Sequence, residues 1–367
     1  MRKPSGAWQP LRAKIGHNMR TILFLLLGGA FGSAQKMPLP TPAWSVGPLT
    51  KDSALMGVAF GPADARAMAA DPGFQTESVF AATRSVVFAG DRIVLVSMVG
   101  MRKVEGAQSP ESIYQIMSLD VRTGEVENTR EASAFGSLKV FATNDEHVMV
   151  SGRDVLRLTP DLKDADRLAT GAHWRVENIS PDGSTLGNST SPGFELIDAR
   201  TLQARTLSNG TTTDTSVSSN AAISDSPLWI RDYPKASSFA TLTDGTGQHL
   251  VFHGDCGGRP VFLTNDRVLM ASCKITRILD TQGNVLKTIA FREPVSFAGV
   301  SQNGSRFALQ LAGKRERFII YATATGDPVA ELAGDQPPHG QSWSALSHDG
   351  RMVVIGSPAK LTLYRLP

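Results

Sequence analysis

The chain alternates between short apolar runs and short polar interruptions, and no stretch of it carries a sustained helical period. SHDGRMVVIG (347–356) shows the unit: a tight polar turn at Asp349-Gly350, then a strand that is apolar almost throughout. Looser copies occur at AGDRIVLVS (89–97), TNDEHVMVSG (143–152), SPDGSTLG (180–187), SDSPLWI (224–230), TNDRVLMAS (264–272) and SQNGSRFAL (301–309). With Asp91, Asp145, Asp182, Asp225, Asn265, Asn303 and Asp349 as markers, the intervals are 54, 37, 43, 40, 38 and 46 residues. A period near forty in a strand-rich chain is what a four-stranded propeller blade requires. A second turn follows each marker, as in SLDVRTGEV (118–126), LIDARTLQA (196–204), ATLTDGTGQ (240–248), RILDTQGNV (277–285) and IYATATGDP (320–328), with RLTPDLKD (157–164) as the weakest version.

Each unit therefore reads as inner strand a, the marker turn, strand b, a loop, strand c, the second turn and outer strand d. In the sixth unit these are VSFAGV (295–300), RFALQL (306–311), RFIIY (317–321) and PVAEL (328–332). IVLVSMV (93–99) and MVVIG (352–356) have the continuous apolar character of strands covered on both faces. The fold class expected is all-β: a seven-bladed β-propeller of four-stranded antiparallel blades. The final unit stops at KLTLYRLP (360–367), its third strand, so an N-terminal strand is needed to complete it, and SALMGVAFG (53–61) is the candidate.

Ser180-Pro181-Asp182-Gly183, Ser347-His348-Asp349-Gly350 and Asp120-Val121-Arg122-Thr123-Gly124 give the chain a pattern that resembles the WD40 and YVTN propeller repeats. The resemblance covers about 80–367 and implies the fold, which serves many unrelated functions. The Gly-His and Trp-Asp dipeptides typical of eukaryotic WD40 repeats are absent from the expected places.

The N-terminus has a different composition. Arg2, Lys3, Arg12, Lys14 and Arg20 precede the apolar run TILFLLLGGAF (21–31) and the small residues Gly32-Ser33-Ala34, the layout of a secretory signal peptide. Residues 1–34 are read as that signal, with Met19 as an alternative start. The Pro-rich segment 35–52 is an extended leader, and 53–367 is a single propeller domain. Loss of the signal leaves 32 basic and 34 acidic residues, so charge gives no argument for nucleic acid. A secreted or periplasmic monomer is expected, without a membrane span after cleavage. In an oxidising compartment Cys256 and Cys273 are expected to form a disulfide.

The d-to-a connections and b-to-c loops share one face, and function usually resides on loops held by a rigid frame. Cations recur in those b-to-c loops: Arg102, Lys103, Arg153, Arg231, Lys235, Lys274, Lys314, Arg315 and Lys360, interspersed with Glu105, Asp154, Asp232 and Glu316. Two readings follow, a cationic rim for an anionic ligand and a mixed solvated surface. His173-Trp174-Arg175, His253, His339 and Trp343 add stacking and hydrogen-bonding groups, although an aromatic there equally covers a blade junction. The expected function is a binding scaffold for a protein, peptide or glycan of the cell envelope, with no cofactor and no metal. The alternative is a metal-dependent, lactonase-like hydrolase drawing on Asp255, Glu293, Asp335, His173, His253 and His339. No linear catalytic motif supports it.

Overall fold

A computed structural model describes residues 39–46, 83–102, 104, 111–134, 138–152, 155–168, 176–189, 194–207, 222–223, 229–232, 239–243, 248–253, 260–334, 342–356 and 360–367. Every element among them is a strand, and they assemble into seven four-stranded antiparallel sheets. Six sheets use four strands that follow one another in the chain. Sheet 1, for instance, comprises Thr83–Ala89, Arg92–Arg102, Glu111–Asp120 and Val126–Ala134. Sheets 2 to 6 begin at inner strands Lys139–Ala142, Val176–Ile179, Ala222–Ile223, Pro260–Thr264 and Val295–Val300. Each inner strand lies beside the next sheet, and the inner strand of sheet 7, Trp343–Leu346, lies beside both sheet 6 and sheet 1. The sheets thus succeed one another around a common axis. Among the described residues no helix is long and apolar enough to cross a membrane.

Sheet 7 is composite. Trp343–Leu346, Met352–Gly356 and Leu361–Arg365 are joined at the outer edge by Pro42–Val46, with Trp44 opposite Leu363 and Val46 opposite Leu361. The donor strand therefore comes from the segment read as a leader, in place of 53–61, which lies outside the described residues. Proline at Pro42 is compatible with this position because an outer strand needs no ladder hydrogen bond on its free side. Trp44 supplies what the apolar content of the segment does not advertise. Its indole Nε1 donates to the Val121 carbonyl in sheet 1 at 2.7 Å, and its ring lies over Gly124. Ser45 and Thr362 share a hydroxyl hydrogen bond at 3.0 Å.

The core lies between successive sheets. Val86, Leu95 and Met117 of sheet 1 pack with Val354, Leu361 and Leu363 of sheet 7. Val94 and Ile116 pack with Val148 and Val150 of sheet 2, while Phe318 and Ile320 of sheet 6 meet Leu346 and Val353 of sheet 7. Each such side chain contributes roughly 1.5–3 kcal/mol by leaving water, so the junctions hold the ring of sheets together.

The marker turns are built by side chains. In SPDG, Ser180 Oγ donates to Asp182 Oδ1 at 2.6 Å, Asp182 Oδ1 accepts Ser184 N at 2.9 Å, and Ser180 Oγ accepts Thr185 N at 2.9 Å. Ser301-Asn303 and Ser347-Asp349 repeat the arrangement. In sheet 5 the equivalent carboxylate is Asp266, which accepts from Thr264 Oγ1 at 2.6 Å. The marker there sits one residue beyond Asn265 because Thr264 pairs directly with Arg267 across a two-residue turn.

Candidate functional site

Antiparallel topology sends the a-to-b and c-to-d turns to one end of the molecule and the b-to-c and d-to-a connections to the other. At the turn end, aspartates bond the backbone of their own turns. Asp120 binds the amides of Arg122 and Thr123 at 2.7 and 2.9 Å, and Asp198 binds those of Arg200 and Thr201 at 3.0 and 2.7 Å. The Arg122 side chain beside Asp120 holds its carboxyl below the usual range, and Asn284 does the same for Asp280.

At this end a cavity of about 290 Å³ occupies the axis, walled by Phe88, Phe141, Ile179, Phe262, Phe297 and Leu346. Gln302 also lines it, and reaches from sheet 6 to the sheet 2 carbonyl of Ala142 at 2.6 Å. Its Oε1 meets His348 Nδ1 of sheet 7 at 2.9 Å. One amide side chain thus ties three sheets together across the axis. The Asn144 amide donates to the Gly183 carbonyl at 3.2 Å, linking sheets 2 and 3 at the same level.

The loop end is described best where sheets 5 and 6 meet. Backbone bonds draw three connections together: Val295 N to Cys273 O at 2.7 Å, Phe291 N to Lys274 O at 2.7 Å, and Ala312 N to Pro294 O at 2.9 Å. Lys274, Arg292, Lys314 and Arg315 are all exposed on them. Two carboxylates nearby are already engaged. Glu293 accepts from Arg317 at 2.7 Å, and Arg317 also binds Glu331 at 2.7 Å. The pairing with Glu293, then Glu331, raises the Arg317 pKa above its ordinary value.

Glu316 was counted with the loop in the sequence, but it begins the strand Glu316–Ala322 and is buried. One of its oxygens accepts from Gln310 Nε2, and the other has no hydrogen-bond partner. Alternation explains the difference: Glu316 falls on the same side of the strand as Phe318 and Ile320, which pack against sheet 7. Burial of Glu316 removes one acid from the loop surface, leaving Lys314 and Arg315 as its exposed charges.

Of the remaining site candidates, the described residues include Trp343, Arg231 and His253. Trp343 lies flat against Gly356, which faces it across the strand pair, and packs into the junction between sheets 7 and 1. Its indole nitrogen is buried without a hydrogen-bond partner, and the ring covers a blade junction. Arg231 lies opposite Thr241 in Trp229–Asp232, and His253 ends Gln248–His253 opposite Phe239. His173, Trp174, Arg175, Lys235, His339 and Cys256 lie outside the described residues. Of the hydrolase candidates, Glu293 is bound to Arg317, and Asp255, Asp335, His173 and His339 also lie outside. No metal-binding group of three or more side chains forms among the described residues.

Gln302 and Arg292 carry no individual signal in the sequence, although Arg-Glu-Pro (292–294) falls in a d-to-a connection on the candidate face. Gln302 follows Ser301 in a marker turn, and nothing in the linear motif distinguishes a side chain that spans the axis from one that points to water. Arg292 sits in the three-residue stretch Arg-Glu-Pro, whose signal was assigned to its acid.

No family model and no curated protein matches the chain. Among solved structures it is similar to a chain of the mitotic checkpoint complex, with 12% identity, a TM-score of 0.50, and coverage of 100% of this chain and 98% of that one. It is also similar to the C-terminal WD40 domain of Sif2, with 9% identity, TM-score 0.47 and coverage of 80% and 98%. BamB from Moraxella catarrhalis follows at 13% identity, TM-score 0.41 and coverage of 77% and 96%. At such identities the likeness concerns the fold. The class is a β-propeller of four-stranded antiparallel blades.

Proposed function

We propose that the protein is an extracytoplasmic binding scaffold, a seven-bladed ring sealed by its N-terminal strand, which engages an envelope partner through its loop end. The observation that carries this reading is the contrast between the two ends. At the turn end the aspartates bond the backbone of their own turns and Gln302 crosses the axis, with Arg122, Lys163, Arg200 and Arg351 exposed beside them; at the loop end backbone bonds draw together neighbouring connections that expose Lys274, Arg292, Lys314 and Arg315. A rigid frame that presents adaptable loops is a common basis for recognition. The fold is compatible with protein binding, and the N-terminal basic and apolar pattern supports export.

Export also supports the Cys256–Cys273 bond. Cys273 is not a free thiol and occupies a left-handed backbone position, φ 50°, between Arg267–Ser272 and Ile275–Asp280. A bond from there to Cys256 would fasten the connection that enters sheet 5.

The test is capture from a solubilised envelope fraction by the purified chain, by a Lys274→Glu/Lys314→Glu variant at the loop end, and by Arg200→Glu at the turn end. A partner retained by Arg200→Glu and lost by the double variant is expected; equal retention by all three overturns the reading. Intact mass of the exported protein, with and without reductant, checks loss of residues 1–34 and the disulfide in one measurement.

A further inference from the structure

We infer that the axial cavity is a binding site for a small, uncharged aromatic molecule that carries one hydroxyl or amide group, with Asn178 as its hydrogen-bond partner. The site is separate from the loop end and does not depend on the scaffold reading.

The repeat itself builds the wall. Phe141, Asn178, Phe262 and Ala345 each stand four residues ahead of a turn aspartate, Asp145, Asp182, Asp266 and Asp349, and all four line the cavity. Inner strands are arranged radially about the axis, so equivalent positions of the repeat meet at one level. Sheets 1 and 6 add Phe88 and Phe297, so that four sheets each present a phenylalanine. Gly299 leaves room on the same wall: a Cβ there would meet nothing nearer than the Ser344 carbonyl at 3.9 Å.

Among the described residues no charged side chain lines the cavity, and its polar ones are Gln302, Ser180, Ser344 and Asn178. The first three are engaged. Gln302 bonds Ala142 and His348, Ser180 bonds Asp182 and Thr185, and Ser344 Oγ donates to the Ala298 carbonyl at 3.1 Å. Asn178 makes no side-chain hydrogen bond among the described residues. Its amide therefore offers a donating and an accepting end within an otherwise apolar wall. A hydroxyl or amide on the ligand can answer either end.

Size and lining select the rest of the ligand. The volume of about 290 Å³ lies at the lower end of ligand cavities, which run from about 300 Å³ upward, and an apolar cavity of about half that size holds benzene. Two fused rings therefore fit. Phenylalanine rings meet an aromatic guest edge-to-face or offset, a gain beyond the area buried. A rigid ring system also loses less conformational freedom than an alkyl chain of the same size. An anionic group would leave water for a wall without countercharge, which disfavours it.

Fluorescence titration with 2-naphthol tests the assignment, with naphthalene, naphthalene-2-sulfonate and octanol as comparators. Saturable binding of 2-naphthol is expected, with the sulfonate at least about tenfold weaker and octanol also weaker. Val261→Phe and Val300→Phe, made singly at half-buried positions of the wall, narrow the cavity, and each is expected to weaken 2-naphthol about tenfold. Asn178→Leu is expected to weaken 2-naphthol about fivefold while leaving naphthalene within about twofold, a split that a general loss of packing would not produce. Leu286→Ser alters an exposed apolar side chain on the outer strand of sheet 5 and is expected to leave binding unchanged. Circular dichroism checks the fold of each variant. The inference is overturned by absence of saturable 2-naphthol binding, by binding that the folded Val261→Phe and Val300→Phe variants leave intact, or by a sulfonate or octanol that binds as tightly. Equal losses of 2-naphthol and naphthalene in Asn178→Leu overturn the role assigned to Asn178.

Discussion

Two demands meet at the marker turns: the chain must reverse within a few residues, and its freed polar groups must find partners. Ser or Thr followed two residues later by Asp or Asn answers the second, since one hydroxyl and one carboxylate or amide oxygen satisfy neighbouring backbone amides. Glycine answers the first at Gly350, with φ 71°; a methyl group there would lie 2.9 Å from Ser305 Oγ. Gly350→Ala is therefore expected to destabilise the protein by about 1–2 kcal/mol, the cost of a left-handed L-residue, read as a shift in denaturant midpoint. Leucine fills the same conformational role at Leu162 and Leu202, φ 63° and 58°. At those two turns the motif was legible only in outline, because the residue that usually announces a positive φ is missing.

The element that departs most from the sequence reading is Pro42–Val46. Four prolines between Pro38 and Pro48 gave the segment the character of an extended leader, and the more apolar 53–61 looked the better strand. Pairing is decided by what the strand meets: Trp44 finds the Val121 carbonyl and the bare surface of Gly124 in sheet 1 while its backbone pairs with Leu361–Arg365. Trp44→Ala removes a half-buried ring and one hydrogen bond, with an expected cost of about 2–3 kcal/mol. Limited proteolysis should then cut the N-terminal side of the chain ahead of the sheets. Cleavage at the wild-type rate would mean that Trp44 does not hold this strand. The sixth unit shows the opposite case. Its four strands were placed to within a residue or two, because uninterrupted apolar runs and strong turns bracket each one.

For the molecule as a whole, the carboxylates of the turns act together. Asp145 is raised by burial, but hydrogen bonds from Thr143 and Arg157 outweigh this and leave its pKa lowered. Asp198 and Asp349 show the same balance, with backbone amides as the leading favourable contacts. A carboxylate whose folded pKa is depressed contributes stability above its unfolded value, near 4, and loses it as pH falls through the folded value. Chemical denaturation midpoints are thus expected to be flat from about pH 5 to 7 and to decline below about pH 4. A decline beginning near pH 6 would place the sensitive group elsewhere.

The sequence by itself determined the repeat, the all-strand architecture and the turn chemistry, because these depend on local pattern: alternation, apolar runs, and side chains that bond their own backbone. It also supplied Lys314 and Arg315. Only the tertiary structure decided which N-terminal segment joins the last sheet, that Trp343 covers a junction, that Glu316 turns inward, and that Gln302 crosses the axis. It also brought Arg292 beside Lys274. Each of these depends on what lies across a sheet boundary, often more than a hundred residues away in the chain, and a linear pattern carries no information about that neighbour.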